Sequence, residues 1–378
     1  MPARHIAYFA NSDWYLYNFR APLALAAQQA FGGEIICLCP DGPYRPKLEA
    51  MGFRWFETPL ERQGTNPIGE WQLLRRVRRI LQESRPDLLH NFTLKPVVWG
   101  SRAAQAEGVP AVVNALAGMG SVFRGSSLKG ALTRPIVRRL LRRSLSGPAQ
   151  RAIFQNPDDL QLAIAQLGMN PTTAILIRGS GVDTARFTPA HALPNPPVVL
   201  FVGRLLKDKG ILDFCTAAAR LHATNPHLRF QIAGTPDHGN PSSLGESDVA
   251  RISESQPYLE FLGHVEDMLS CYRGASMAVL PSYGEGVPRS LIEAAACGLP
   301  LIATDVPGCR EIVQNGVNGF AVPPRNPDLL TDAIQRLLDS PNLMTTFGAQ
   351  GRALVEAEFS EASVLDQTLG VYKTLLDA

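Results

Sequence analysis

Short apolar segments alternate with amphipathic ones along this chain, and no other feature narrows its fold as far. Residues 6–10 are strand-like, residues 23–30 helical, and residues 35–39 run apolar into Pro40-Asp-Gly-Pro. Over 68–83 apolar side chains recur at helical spacing. Trp71, Leu74, Val77 and Leu81 share one face, with Arg75, Arg76, Arg78 and Arg79 mostly off it. A strand at 88–90, a helix through 96–107 and a strand at 109–113 continue the rhythm. Such alternation predicts an α/β fold, a mainly parallel sheet covered by helices. Sheets of that kind bind ligands at the carboxyl ends of their strands.

The rhythm stops at His191-Ala-Leu-Pro-Asn-Pro-Pro197, a breaker composition that fits a linker, and then restarts. Strands are expected at 198–202, 228–233, 259–262, 277–280 and 301–303, with a helix at 212–222. A turn at Asp305-Val-Pro-Gly308 and a hairpin-like Asn315-Gly-Val-Asn-Gly319 follow. Helices at 327–339, 341–358 and 360–376 close the chain. At 378 residues the chain exceeds a typical single core. The expected organisation is two doubly wound, Rossmann-like domains facing across a cleft, 1–190 and 191–358. A last helix, 359–378, is expected to pack back toward the first domain.

Hydrophobic residues at 45% and charged residues at 19% describe a soluble globular composition. No run of 18 apolar residues is present, and the N-terminus reads as a first strand and not as a signal peptide. The six cysteines form neither a disulfide framework nor a C-x-x-C pair, which fits reduced, buried thiols in a cytoplasmic protein. The formal charge of +2 conceals an asymmetry. Residues 1–190 carry 23 basic against 13 acidic side chains, and residues 191–378 carry 13 against 21. A basic half suits nucleic acid or an anionic membrane surface.

The densest chemistry lies in Pro281-Ser-Tyr-Gly-Glu285-Gly-Val-Pro-Arg-Ser-Leu-Ile-Glu293. An apolar strand enters a Pro/Gly loop, and the loop opens a helix near Pro288. Glu285 lies ahead of the helix and Glu293 inside it, spanning at most ~12 Å. Helix-start amides between them attract anions. Acid, amides, acid suits a nucleotide-sugar; a plain complement to the helix dipole fits the same residues. Gly203-Arg204-Leu-Leu-Lys207-Asp-Lys209-Gly210 ends the first strand of the second half. Its cations can neutralise a diphosphate or can form a solvated basic loop.

The stretch 203–324 resembles the nucleotide-binding half of the retaining GT-B glycosyltransferases, the group 1 family that includes capsule, O-antigen and other bacterial glycan-assembly enzymes. The matching residues are Phe201-Val-Gly-Arg-Leu-Leu-Lys-Asp-Lys-Gly210, Leu280 through Pro300 and Pro307-Gly-Cys-Arg-Glu-Ile-Val313. In the first half, His90-Asn-Phe-Thr-Leu-Lys-Pro96, Gly118-Met-Gly-Ser-Val-Phe123, Phe154-Gln-Asn156 and Gly179-Ser-Gly-Val-Asp183 are also similar. The resemblance implies a GT-B architecture and roles for single residues. Glu293 would hold the ribose hydroxyls and Glu285 those of the donor sugar. The amides of Gly286 and Val287 would meet sugar and phosphates, and Arg204 and Lys209 the diphosphate. Val265, within Gly263-His-Val265, would meet the base, and Gly203 and Gly234 would line the pocket. Where the family often carries a histidine near the sugar, this chain reads Asn114-Ala-Leu-Ala-Gly118. His90 is either its substitute or a structural group.

No Asp-x-Asp pair is present to hold a divalent metal against a diphosphate. The expectation is therefore no cofactor and no metal; the resemblance implies that Glu285, Arg204 and Lys209 carry a retaining transfer. The donor is expected to be a UDP-sugar and the acceptor a lipid-diphosphate-linked saccharide. Acceptor contacts are expected from the loop 11–20, with Asn11 and Arg20, and from His90, Lys95, Gly118 and Gly120. Residues 124–143 interleave Arg124, Lys129, Arg134, Arg138, Arg139, Arg142 and Arg143 with leucines and other apolar side chains. That helix either lies on an anionic bilayer or presents a solvated face. Aromatics are too few there for nucleic acid. With the resemblance, the membrane reading gives a peripheral protein at the inner face of the cell membrane. A UDP-sugar 2-epimerase of the same fold and a non-catalytic nucleotide-sugar-binding module are the alternatives.

Overall fold

The computed structural model describes residues 3–61, 66–116, 118–119, 128–147 and 149–377, without the side chains of 128–134. Two compact units divide the chain: residues up to Ser180 together with Val364–Ala378, and Gly181–Ser363. The division falls ahead of the proline-rich stretch at 191–197.

The first unit is built on a parallel sheet of β1 (Arg4–Phe9), β2 (Gly32–Cys39), β3 (Arg54–Glu57), β4 (Leu88–Phe92), β5 (Ala111–Leu116), β6 (Gln150–Phe154) and β7 (Ala174–Leu176). Their spatial order is β3-β2-β1-β4-β5-β6-β7. From β1 the chain builds outward through β2 to β3, then returns to β4 on the other flank, so the direction of winding reverses between β1 and β4. The central strands β4 and β5 are buried along their whole length, as a sheet covered on both faces requires.

Several elements depart from the sequence expectation. The polar and aromatic stretch after β1 is a helix, Asp13–Phe31, and not a loop, because the Ser12 hydroxyl accepts the Tyr15 amide and caps its start. In the helix Pro67–Ser84 the buried stripe is Leu73, Val77, Ile80 and Leu81, while Trp71 is 56% exposed. Asn315–Gly319 is not a hairpin: the strand that follows it, β13 (Gly319–Val322), pairs in parallel with its neighbour. The expected helix 341–358 ends at Leu354, and a π-helical turn, Val355–Phe359, completes it.

The last helix, Glu361–Leu376, contributes Val364, Val371, Tyr372 and Leu375 to the core around β1, β2 and β4. Its Tyr372 hydroxyl lies 2.5 Å from His90 Nδ1 and 3.2 Å from the Tyr8 hydroxyl. Burial and the Arg20 guanidinium hold the His90 imidazole well below its usual range. His90 is thus a neutral group inside the sheet.

The second unit has its own parallel sheet: β8 (Val198–Val202), β9 (Arg229–Ala233), β10 (Leu259–Gly263), β11 (Met277–Leu280), β12 (Leu301–Thr304) and β13, ordered β10-β9-β8-β11-β12-β13. Winding reverses between β8 and β11. The helices Ile211–Thr224, Arg289–Ala296 and Pro327–Leu338 line its core with Phe214, Leu291, Ile292, Ile334 and Leu337. All six cysteines are unpaired, and burial pushes the Cys37 and Cys215 thiols up to about 12. Among the described residues no helix is long and apolar enough to cross a membrane.

Candidate active site

In a doubly wound sheet the loops on either side of the reversal diverge and leave a crevice at the carboxyl ends of the strands. In the second unit those loops follow β8 and β11, the two stretches that the sequence singles out. After β8 the Gly203 amide donates to Ala233 O at 3.0 Å, and residues Lys207–Lys209 make a single 3-10 turn ended by Gly210. The loop after β11 docks on that turn. The Tyr283 amide and the Ser282 hydroxyl both donate to Asp208 O, at 2.8 and 3.1 Å.

Two glycines make the docking possible. Gly210 sits at φ +72°, and a Cβ there would stand 2.0 Å from Pro281 O. Gly308, at φ +77° after β12, would place its Cβ 1.7 Å from Gly286 O. The β12 end is also pinned, since the Thr304 hydroxyl donates to Ser282 O. Backbone from three strand ends is therefore packed with no room for a side chain.

On this frame Lys209 Nζ donates to Glu285 Oε1 at 2.5 Å. The two side chains are only 20% and 10% exposed. Removing one partner from so shielded a pair strands the other charge, at up to ~3 kcal/mol. An ammonium has three donors, so one bond to Glu285 leaves two for an anion. Glu285 Oε2 has no hydrogen-bond partner among the described residues, which leaves it for a hydroxyl donor.

Glu293 lies five residues into the helix Arg289–Ala296, whose N-cap Pro288 supplies no capping side chain. Within that first turn the amides of Leu291 and Ile292 close onto Pro288 O at 3.1 and 3.3 Å. Glu293 Oε1 accepts from Arg289 Nε at 2.8 Å and Oε2 from the Tyr272 hydroxyl at 3.1 Å. Tyr272 is fully buried, and burial with the Glu293 carboxylate beside it pushes its hydroxyl well above the usual range. The hydroxyl stays protonated and fixes the carboxylate at neutral pH.

Comparison with known proteins fits this geometry. Residues 196–340 match the family model described as "Glycosyl transferases group 1", and residues 5–146 match that of "Glycosyl transferase 4-like". The chain belongs to the group 1 glycosyl transferases. It is 23% identical to the N,N'-diacetylbacillosaminyl-diphospho-undecaprenol alpha-1,3-N-acetylgalactosaminyltransferase of Campylobacter jejuni, over 98% of this chain and 99% of that one. It is 26% identical to the UDP-Gal:alpha-D-GlcNAc-diphosphoundecaprenol alpha-1,3-galactosyltransferase of Escherichia coli, over 83% of this chain and 82% of that one. The sucrose-phosphate synthase of Thermosynechococcus elongatus superposes with a TM-score of 0.83, covering 99% of each chain at 21% identity. That likeness gives the fold, the GT-B architecture of glycosyltransferases.

As a group 1 transferase, the chain brings Lys209, Glu285 and the Gly286–Val287 backbone onto one frame, with Gly203 at its edge. Gly234 donates its amide to Gly263 O at 2.8 Å, joining the ends of β9 and β10 just before Val265. Arg204 is placed differently from Lys209. It is about half exposed and pairs with Asp237, so the two cations hold separate acids. In the first unit Asn11 follows β1, half-buried, and Arg20 is buried in the helix Asp13–Phe31. Lys95 bridges Glu61 O at 2.6 Å and Glu70 Oε1 at 2.5 Å, tying two helices together. Gly118 is half-buried at φ +81°. Gly120, Arg124 and the Lys129 side chain lie outside the described residues.

The sequence reading missed Tyr272 and Asp237, and gave Gly308 only as part of a turn and of a matching stretch. The Arg289–Glu293 pair was open to it, since side chains four apart on a helix meet. Tyr272 arrives on the helix Met268–Arg273 and Asp237 on the loop after β9, and nothing local in the sequence pairs them with the site.

Gly308→Ala should cost about 2 kcal/mol or more of stability, from the Cβ clash and the positive φ. Gly284→Ala, with open space around its Cβ, should be nearly neutral. Chemical denaturation of both variants checks the contrast; equal stability would mean that the three-loop packing is not tight.

Proposed function

We propose that this transferase moves a hexose or N-acetylhexosamine from a UDP-sugar to a lipid-diphosphate-linked saccharide, with retention and without a metal, in bacterial surface-glycan assembly. The observation that carries the reading is the Lys209–Glu285 pair at the winding reversal of the second sheet. It is supported by two relatives, over most of their length, whose names specify alpha linkages on diphospho-undecaprenol acceptors.

In this reading Lys209 gives its two remaining N–H groups to the diphosphate, and Glu285 takes a hydroxyl of the donor sugar on Oε2. Glu293, held by Arg289 and Tyr272, takes the ribose hydroxyls, and the amides of Gly286 and Val287 lie against sugar and phosphate. Val265 meets the base. The bond from the anomeric carbon to the diphosphate oxygen breaks as the acceptor oxygen bonds to the same face. The departing phosphate oxygen receives the acceptor proton. Negative charge grows on that leaving group, and preorganised donors aimed at it are worth roughly 3 kcal/mol each. Arg204 joins them by exchanging Asp237 for phosphate.

The reading also places the protein on an anionic membrane. In the helix Leu128–Ser144, Arg138, Arg139, Arg142 and Arg143 are exposed, and Ile136 among them is 62% exposed. Cations around an exposed apolar side chain suit a lipid headgroup layer, at about 1 kcal/mol per cation.

Glu285→Gln should lower kcat by roughly 10²- to 10³-fold with UDP binding retained, and a chelator should leave the wild-type rate unchanged. Full turnover by the variant, or loss of wild-type activity on chelation, would contradict the assignment. The protein should sediment with liposomes containing anionic lipid at low salt and be released at high salt. Replacing Arg138, Arg139, Arg142 and Arg143 by Gln should abolish this. Sedimentation indifferent to salt or to these arginines rules out the bilayer role.

A further inference from the structure

The first sheet reverses its winding between β1 and β4 as the second does between β8 and β11, and it too holds a cation at the reversal. Arg20, on the helix that leaves β1, is 7% exposed. Its Nη2 and Nε donate to the Tyr15 hydroxyl at 2.7 and 3.2 Å. Its guanidinium carbon stands 4.6 Å from the ring centre of Phe92, the last residue of β4. Behind Phe92 lies the neutral His90 ring, its centre 3.9 Å away. Lys209 has its glutamate; Arg20 has no carboxylate among the described residues. The nearby Asp13 is engaged elsewhere, accepting the amides of Trp14 and Tyr44 at 2.7 and 2.6 Å.

A cation withdrawn from water without an anion is costly, and one hydroxyl with two aromatic faces offsets only part of the loss. The geometry shows where the missing anion fits. Tyr15 occupies the Nε side of the guanidinium. Nη1 has no hydrogen-bond partner among the described residues, and it is not among the polar atoms sealed from solvent. The end-on edge, Nη1 with the second N–H of Nη2, makes no hydrogen bond among the described residues. That edge presents two parallel donors, the spacing that binds two oxygens of one phosphate. We infer that Arg20 is the phosphate-binding residue of the first unit and takes an oxyanion of the lipid-linked acceptor's diphosphate, with Tyr15 and Phe92 orienting it. This rests on the acceptor class proposed above.

The test uses the full chain with its donor site saturated by UDP, and geranyl diphosphate as the probe against geraniol. Wild type should bind the diphosphate and not the alcohol. Arg20→Gln should weaken that binding by about 10- to 100-fold, with UDP affinity unmoved. Arg20→Lys should fall between, because it keeps the charge and loses the fork. If Arg20→Gln does not fold, Tyr15→Phe keeps the cation, removes the orienting hydroxyl, and should weaken geranyl diphosphate several-fold. Three results overturn the inference: no binding by wild type, equal binding by Arg20→Gln, or parallel loss of UDP affinity. If Arg20 binds the probe but the enzyme glycosylates no lipid-diphosphate saccharide, the phosphate site stands and the acceptor reading fails.

Discussion

The bond between Lys209 and Glu285 joins loops 76 residues apart in sequence, and the function proposed for the second unit rests on it. Two opposite charges can be held this close to the interior only where the backbone fixes both. Here that backbone is over-determined. Asp208 O takes two donors from the facing loop, and Gly210 and Gly308 admit main chain where a methyl group would collide. The pair is therefore preorganised: its geometry exists before a ligand arrives, so binding energy is not spent on assembling it.

The two units apply one topological rule to different electrostatics. In each sheet the loops flanking the winding reversal carry the polar chemistry. In the second unit a cation and a carboxylate meet, which suits a ligand with both phosphate oxygens and hydroxyls. In the first, a guanidinium stands against Tyr15 and Phe92 with no acid beside it among the described residues, the observation behind the anion site inferred there. Around it burial keeps His90 neutral and pushes the Tyr372 hydroxyl well above its usual range. Among the described residues no carboxylate pairs with Arg20 there.

The fold was legible because strand and helix periodicities are local properties. Residues 277–280 are the strand, and Pro288 does stand at the mouth of the helix that bears Glu293. The strands β3, β6, β7 and β13 were not seen, since each is only three to five residues long and too short for a periodicity to declare itself. The helix Asp13–Phe31 was read short because Trp14, Tyr15 and Tyr17 look like loop aromatics until Ser12 is recognised as its cap. In the site, Lys209 and Glu285 were found from motif spacing. The partnership of Arg204 with Asp237, on loops after β8 and β9, and of Glu293 with Tyr272, on two helices, needed the folded chain to bring them together.

The central claim is that Lys209 and Glu285 act as one unit, and a double-mutant cycle on kcat/KM for sugar transfer tests it most directly. Lys209→Met, Glu285→Gln and the double variant would be compared with wild type under one donor. The account expects strong non-additivity, the double variant scarcely worse than the poorer single one, with a coupling of ~1 kcal/mol or more. Losses that add to within ~0.5 kcal/mol would show two independent residues and contradict it.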